Sequence, residues 1–148
     1  KGYSDEWIEK RVRGIAVRQE LTSEWKNRGA DEKTDFAILT SEISKAAFSL
    51  TPSEYKNLKG LKSENLRDHM DDLELILTML GEASTTRFHQ VRDSKGVPKL
   101  KADAVDGGSI AGTARKSLEN KLGKNVISKG NYLKEPEKRK KLESRKPN

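Results

Sequence analysis

The feature that most constrains the fold is a repeating apolar pattern over residues 66–80. Apolar residues follow one another there at alternating intervals of four and three positions: Leu66, Met70, Leu73, Leu77 and Leu80. This spacing keeps one face of an α-helix continuously apolar, and Ser63 is a suitable N-cap just before it. The pattern therefore predicts a helix that starts after Ser63. We expect Leu73 and Leu77 to be buried, so that truncating either to Ala costs about 2–5 kcal/mol.

The apolar repeat is short. Beyond Gly81 the heptad positions stop supplying leucines, although Ala83, Phe88 and Val91 prolong the helix as far as a turn at residues 93–98. About two heptads are too few for a free-standing coiled coil. We therefore expect this helix to pack within a bundle or against a second chain, and the spacing leaves both a monomer and a homodimer open.

The composition favours an all-α fold. Of the 148 residues, 32% are hydrophobic, 36% are charged and only 5% are aromatic, and β-branched runs are scarce. Such a mixture favours exposed helices over sheets. We predict a compact bundle of about five or six helices, formed by residues 1–133 as one domain.

Capping and spacing signals place the other helices. A first helix begins after Ser4, carries Ile8, Val12 and Ile15 at helical spacing and closes at Gly29. A second runs over residues 35–48. Thr51-Pro-Ser-Glu54 is a capping box that starts a third, from which Tyr55 and Leu58 point inward and Lys56 and Lys59 outward. After Pro98 we predict a short helical piece, a last helix over residues 113–123, and an irregular end over residues 125–133.

The positive charge is concentrated at the end of the chain. Residues 134–148 contain seven Lys or Arg and three Asp or Glu, so they supply +4 of the net charge of +7. We expect a flexible, solvated tail. The alternative is that its cations bind phosphates non-specifically, although no aromatic residue accompanies them for base stacking: Lys138, Arg139, Lys140 and Lys141.

Most catalytic chemistry finds no support in the sequence. With no cysteine there are no disulfides and no thiolate metal ligands. The glycines of residues 107–112 match neither a dinucleotide fingerprint nor a P-loop, because Ser109 and Thr113-Ala114 stand where those motifs need other residues. We expect a flexible helix entrance there, with a weak anion site as the alternative. No segment approaches the roughly 18 apolar residues that span a bilayer, and no signal peptide is evident, so we expect a cytoplasmic protein.

Acidic residues surround His69 and raise the question of a metal or acid-base site. Asp68 and Asp72 share a helical face, but Arg67 is placed to pair with Asp71, and one helical turn cannot supply a full coordination shell. We expect a half-buried packing role for His69. His89, the other histidine, has no obvious partner. The sequence therefore predicts a non-enzymatic protein without catalytic residues, metal, cofactor or small-molecule substrate.

Several segments resemble the DNA-damage-inducible protein D family, in order over residues 2–133. They are Gly2-Tyr-Ser-Asp-Glu-Trp-Ile-Glu-Lys-Arg-Val-Arg, Leu21-Thr22 with Trp25, Asp35-Phe-Ala-Ile-Leu-Thr40, Thr51-Pro-Ser-Glu-Tyr-Lys56, Leu66-Arg-Asp-His-Met70, Gly81-Glu-Ala83, Gly107-Gly108, Ile110-Ala111, Ala114-Arg115 and Asn131-Tyr-Leu133. In that family such segments lie in the C-terminal part of a longer chain, after a domain similar to those of phage and baculovirus antirepressors. We expect the same here, and Lys1 to be an internal residue.

The resemblance implies a bacterial protein of the SOS response that restrains recombinase filaments on single-stranded DNA, with no catalytic residues to carry over. The alternative is a DNA-binding or transcription-regulating module of the phage antirepressor type. Such a module would use the basic tail, together with Arg115 and Lys116 on the last helix, to bind phosphates. The expected partners are therefore a recombinase filament, DNA, or both.

Overall fold

The computed structural model describes residues 3–131, which fold as an all-helical bundle. It contains five α-helices and one 3-10 turn: α1 Asp5–Asn27, α2 Phe36–Phe48, α3 Pro52–Leu58, the turn Leu66–His69, α4 Asp72–Arg92 and α5 Val97–Leu122. The prediction of an all-α fold is confirmed. The predicted tail, residues 134–148, lies outside the described residues, so the domain boundary at residue 133 stays a prediction.

Local caps fix two of the helix starts where the sequence predicts them. Ser4 Oγ accepts a hydrogen bond from the backbone N–H of Trp7 at 3.1 Å at the start of α1. At α3, Thr51 Oγ1 accepts from the Glu54 N–H and Glu54 Oε1 accepts from the Thr51 N–H. These bonds satisfy N–H groups that have no partner within the helix.

The helix predicted from the apolar repeat begins later than expected. α4 starts at Asp72, where Asp71 and Glu74 form a capping box at its first turn. Ser63 caps no helix, because the residues after it form the 3-10 turn, which Asn65 caps instead. The predicted start after Ser63 is therefore wrong. The extension past Gly81 is confirmed, since α4 continues to Arg92.

Helix α4 buries a polar face. Leu77 is buried as predicted, but Leu73 and Leu80 are 38% and 37% exposed. The buried face includes carboxylates, hydroxyls, a glycine and a histidine: Glu74, Thr78, Gly81, Glu82, Thr85, Thr86 and His89. This face is selected because α4 packs against α1 on one side and against α5 on the other, where partners for the polar groups lie. The burial predicted for Leu73 is wrong.

Helix α1 buries an aromatic and glycine-containing face. Its buried residues are Trp7, Gly14, Leu21 and Trp25, whereas Ile8, Val12 and Ile15, which share helical spacing, are exposed. Gly14 leaves room for the side chain of Met79 on α4, whose Cγ lies 3.8 Å from the position of an added Cβ. The face of α1 that contains Trp7, Gly14 and Leu21, at heptad spacing, therefore packs towards α4. The more apolar row of Ile8, Val12 and Ile15 does not.

A single helix replaces the two helical pieces and glycine-rich entrance predicted near the C-terminal end. α5 runs without interruption through Gly107, Gly108 and Gly112. A Cβ on Gly107 would stand 2.0 Å from Thr85 Oγ1, and one on Gly108 would stand 2.6 Å from the Ile43 carbonyl oxygen. The glycines thus allow α5 to lie closely on α4 and α2, and the predicted flexible entrance is wrong.

The apolar core divides into two clusters. One is built around Trp7, Phe48 and Tyr55, and the other around Trp25 and Leu100. Each cluster consists of residues from several helices rather than from one helix face. Among the described helices, none is long and apolar enough to cross a membrane.

Candidate functional site

A cavity of about 580 Å³ opens between α1, α2, α3, the 3-10 turn and α4. Part of its wall is apolar: Ile43, Ala47, Phe48, Pro52, Leu66 and Met70. Ile15 also lines it and is 43% exposed, so the cavity reaches solvent on the α1 side. Its volume lies within the range of small-molecule sites.

A buried carboxylate between two guanidinium groups borders this cavity. Arg67 donates to both Glu82 oxygens, at 2.9 Å from Nη1 to Oε1 and 2.7 Å from Nη2 to Oε2. Arg18 Nη1 donates to Glu82 Oε2 at 3.0 Å, and Arg18 Nη2 donates to Thr40 Oγ1 at 2.6 Å. We call Arg18, Arg67 and Glu82 the arginine–glutamate cluster. The two parallel hydrogen bonds from Arg67 to Glu82 form a bidentate ion pair, which is strong and geometrically specific.

The cluster carries a net charge of +1. Burial raises the pKa of Glu82, but hydrogen bonds and positive charge from Arg67 and Arg18 outweigh burial and hold that pKa below its ordinary value. Burial lowers the pKa of Arg18, while the bonds and charge of Glu82 outweigh burial at Arg67 and raise its pKa. Both guanidinium groups stay protonated because arginine does not lose its proton in proteins. One positive charge is therefore not neutralised within the cluster.

A second buried carboxylate, Glu74, lies in a closed site. Lys59 Nζ donates to Glu74 at 3.1 Å, and Tyr55 donates its hydroxyl proton to the same carboxylate. Burial raises the pKa of Glu74 despite these partners, and it raises the pKa of Tyr55. We call Tyr55, Lys59 and Glu74 the lysine–glutamate cluster. The predicted outward orientation of Lys59 is wrong, since its side chain is fully buried.

Residues 128–131 cover the lysine–glutamate cluster. Lys59 Nζ donates to the carbonyl oxygens of Ser128 and Gly130, at 2.7 and 3.1 Å. The Asn131 side-chain amide donates to the Lys59 backbone carbonyl. These bonds attach the non-helical segment after α5 to α3, and the ammonium group has no route to solvent through this side.

His89 has buried partners, contrary to the prediction. Trp25 Nε1 donates to His89 Nε2 at 3.0 Å, so the ring proton must sit on Nδ1, which lies 2.8 Å from Asp103 Oδ2. Ser94 Oγ also donates to Asp103, at 2.5 Å. Burial lowers the pKa of His89. Because the serine bonds to the carboxylate and not to the imidazole, this trio lacks the geometry of an activated serine nucleophile.

The acidic residues near His69 serve as ion-pair partners. Asp68 accepts from Arg11 Nε at 2.9 Å, and Asp72 lies 3.5 Å from Lys10 Nζ. Arg67 pairs with Glu82 instead of Asp71. No group of three potential metal-ligating side chains occurs within residues 3–131. His69 is the last residue of the 3-10 turn and is buried, more deeply than the predicted half-buried position.

Of the predicted phosphate-binding residues, the structure describes Arg115 and Lys116, and these two differ in exposure. Arg115 is buried, with Nε donating to the Ala47 carbonyl at 2.8 Å and Nη1 to Glu119 at 2.9 Å. Lys116 is exposed on α5. The other four fall in the undescribed end of the chain: Lys138, Arg139, Lys140 and Lys141. Phosphate binding by these residues stays a prediction.

An exposed apolar row follows the solvent side of α4. Leu73, Ile76, Leu80 and Val91 share this side, and we call them the α4 outer row. Their spacing of three, four and eleven positions keeps them on one helical face. Large apolar side chains aligned in this way are typical of protein interaction surfaces.

Sequence reasoning missed the arginine–glutamate cluster. Arg18 and Glu82 are separated by 64 positions, so no local spacing connects them. The one available signal was the position of Glu82 itself, seven residues after Leu75 and thus on the same helical face as a buried leucine. A carboxylate on such a face needs a cationic partner from another element.

Comparisons of the chain with models of known protein families, with curated proteins and with solved structures found no match.

Proposed function

We propose that this helical domain is a non-catalytic regulator in the bacterial DNA-damage response, which acts in the cytoplasm by binding recombinase filaments on single-stranded DNA. The α4 outer row is the observation that carries the proposal. Its side chains are aliphatic, and aliphatic side chains cannot bind phosphates. They suit a protein surface, so the expected contact is with the recombinase rather than with the DNA strand.

The resembling segments support the proposal because they supply contacts that hold the bundle together. Trp7 donates its indole N–H to the Met70 carbonyl at 2.9 Å, Arg67 holds Glu82, and Arg115 holds the Ala47 carbonyl. Gly108 permits the close approach of α5 to α2. The fold depends on these residues. A related chain with the same segments would therefore pack its helices in the same way.

The test measures binding of the 148-residue chain to an immobilised single-stranded oligonucleotide, bare or coated with bacterial recombinase, at low and high salt. We expect binding to the coated strand that persists at high salt. Ile76→Glu should weaken it at least about tenfold, because a charge in the centre of an apolar contact is desolvated without a partner. Ile38→Glu on α2 is the matched control, since Ile38 is 45% exposed and Ile76 is 42% exposed.

Three results would contradict the proposal. The first is no binding to the coated strand. The second is an equal loss in Ile76→Glu and Ile38→Glu. The third is self-association of the wild-type chain in sedimentation velocity that Ile76→Glu abolishes, because the α4 outer row would then face a second copy.

The antirepressor-type alternative has one supporting observation, the exposure of Lys116 on α5. It predicts binding to the bare oligonucleotide with a steep salt dependence, weakened in Lys116→Glu. A version of the chain that ends at residue 133 separates the contribution of the predicted tail. Salt-sensitive DNA binding that disappears in this version would assign DNA contact to the tail and leave the helical body without a DNA role.

A further inference from the structure

We propose that the cavity beside Glu82 binds a small organic anion, a carboxylate or a phosphate ester with an apolar body. This ligand site is separate from the α4 outer row and goes beyond the proposed filament binding. The two ends of such a molecule match two parts of the cavity, its charged edge and its apolar wall.

The charge at the cavity favours an anion. Four cationic side chains line it against two carboxylates, Arg11, Arg18, Lys56 and Arg67 against Glu64 and Glu82. One of the four, Arg11, is paired with Asp68 outside the lining, which leaves three cations against the two carboxylates. Within the arginine–glutamate cluster, two guanidinium groups share one carboxylate. Both arginine side chains are partly buried, with 27% and 21% of their surface exposed. A partly buried positive charge without a full partner is unfavourable, and an anion that enters the cavity would relieve this cost.

The two arginines of the cluster also have hydrogen-bond donors left for a ligand. A guanidinium group has five N–H donors. Arg67 uses two of them for Glu82, and Arg18 uses one for Glu82 and one for Thr40, among the bonds formed by residues 3–131. Each arginine therefore keeps three N–H groups, and planar arrays of this kind suit carboxylate and phosphate oxygens.

Both arginines are held in position before a ligand binds. Arg18 is fixed at two points, by Glu82 and by Thr40, whose own hydroxyl donates to the Phe36 carbonyl at 2.7 Å. Arg67 is fixed by two parallel bonds to Glu82. Little side-chain entropy is left to lose on binding, which favours recognition of an anion at this edge.

The remaining wall of the cavity suits the apolar body of such a ligand. Phe48 and Pro52 line the cavity, and Phe48 packs edge-on against Tyr55 with ring centroids 5.1 Å apart. An aromatic or aliphatic body against this wall would exclude water from the charged edge and so strengthen the ion pair. Ile15 at the opening leaves a path for entry from solvent.

The test titrates the 148-residue chain with 1-naphthoate, 1-naphthyl phosphate and the uncharged 1-naphthalenemethanol, followed by NMR. We expect at least one anion to bind with a Kd below about 1 mM, and the alcohol to bind at least about tenfold more weakly. The preferred anion identifies whether the natural ligand carries a carboxylate or a phosphate. Backbone amide shifts in the wild-type chain should concentrate at Thr40, Ser44 and Arg67.

Two substitutions on α1 provide a matched pair. Ile15→Glu places a carboxylate at the cavity opening, where it competes for the guanidinium groups and should weaken anion binding at least about tenfold. Ile8→Glu makes the same change at a site of similar exposure, 41% against 43%, outside the cavity lining, and should leave binding unchanged. Far-UV circular dichroism confirms that both variants fold.

The proposal is overturned by any of four results: no binding of either anion below about 1 mM, equal binding of the alcohol, an equal effect of the two substitutions, or amide shifts centred away from the cavity. The shift map needs no variant, so it tests the location of the site even if Ile15→Glu fails to fold.

Discussion

Glu74 and Glu82 are both fully buried on α4, yet their surroundings are opposite. Glu74 meets one cation, a tyrosine hydroxyl and a covering segment that closes the site, and burial raises its pKa. Glu82 meets two guanidinium groups beside an open cavity, and these lower its pKa. Burial acts in the same direction at both residues, so the difference comes from the number and geometry of the cations.

The comparison separates a structural role from a binding role. In the lysine–glutamate cluster the two formal charges cancel, and Lys59 directs its other bonds to backbone carbonyls. No charge is left for a ligand. In the arginine–glutamate cluster one positive charge is left over, next to space that a ligand can enter. Charge balance together with access, rather than burial alone, marks the second cluster as a site.

The largest expected effect comes from Glu82→Gln. This change removes the carboxylate that joins Arg18 and Arg67 and leaves two partly buried guanidinium groups facing each other. We expect it to reduce the free energy of unfolding by about 3–5 kcal/mol, measured by urea denaturation. A loss below about 1 kcal/mol would mean that solvent in the cavity screens these charges well enough to make the cluster dispensable.

Glu74→Gln is the matched change in the closed cluster and should have a smaller effect. The amide retains an acceptor for Tyr55 and Lys59, and Lys59 keeps the carbonyl oxygens of Ser128 and Gly130. We expect a loss of about 1–3 kcal/mol in the same denaturation experiment. If Glu74→Gln destabilises as strongly as Glu82→Gln, the contrast between the clusters is not one of charge balance.

The pH dependence of stability should differ in sign between the two glutamates. The pKa of Glu82 is lowered on folding, so its contribution is present above the ordinary carboxyl pKa of 4.5 and is lost as the pH falls below it. The advantage of the wild-type chain over Glu82→Gln should therefore shrink between pH 6 and pH 3, at up to about 1.4 kcal/mol per pH unit.

At Glu74 the opposite trend is expected. Its pKa is raised on folding, so the folded state binds the proton more readily, and this contribution is present at low pH and is lost as the pH rises through the raised pKa. The advantage of the wild-type chain over Glu74→Gln should grow on acidification. Parallel trends for the two variants in a series of urea titrations would refute the opposite pKa shifts.

The smallest effect should come from a surface pair on the cavity side. Asp68 accepts from Arg11 at 2.9 Å, but its side chain is half exposed. Asp68→Asn should change the free energy of unfolding by about 0–1 kcal/mol, because solvent screens such pairs. A thermal melt alongside Glu82→Gln gives the reference against which the buried clusters are compared.

The sequence by itself determined the features that depend on near neighbours. The all-helical class follows from composition and spacing, and the starts of α1 and α3 follow from Ser4 and from Thr51 with Glu54. The sequence also contains the signal for the start of α4, because Asp71 and Glu74 have capping-box spacing. Ser63 and the apolar repeat, however, predict an earlier start. A cap needs only residues within one helical turn, so its signal is local.

Only the tertiary structure decided which face of α4 is buried. Leu73 is more apolar than its neighbour Glu74, yet Glu74 is the buried one, because Lys59 and Tyr55 arrive from α3 and its C-terminal end. In the same way, the sequence alone predicts flexibility at Gly107, whereas the structure places Thr85 against it and leaves no room for a Cβ. The burial of a charge or the exclusion of a Cβ depends on atoms that are distant in the sequence. The sequence of a single helix therefore does not predict it.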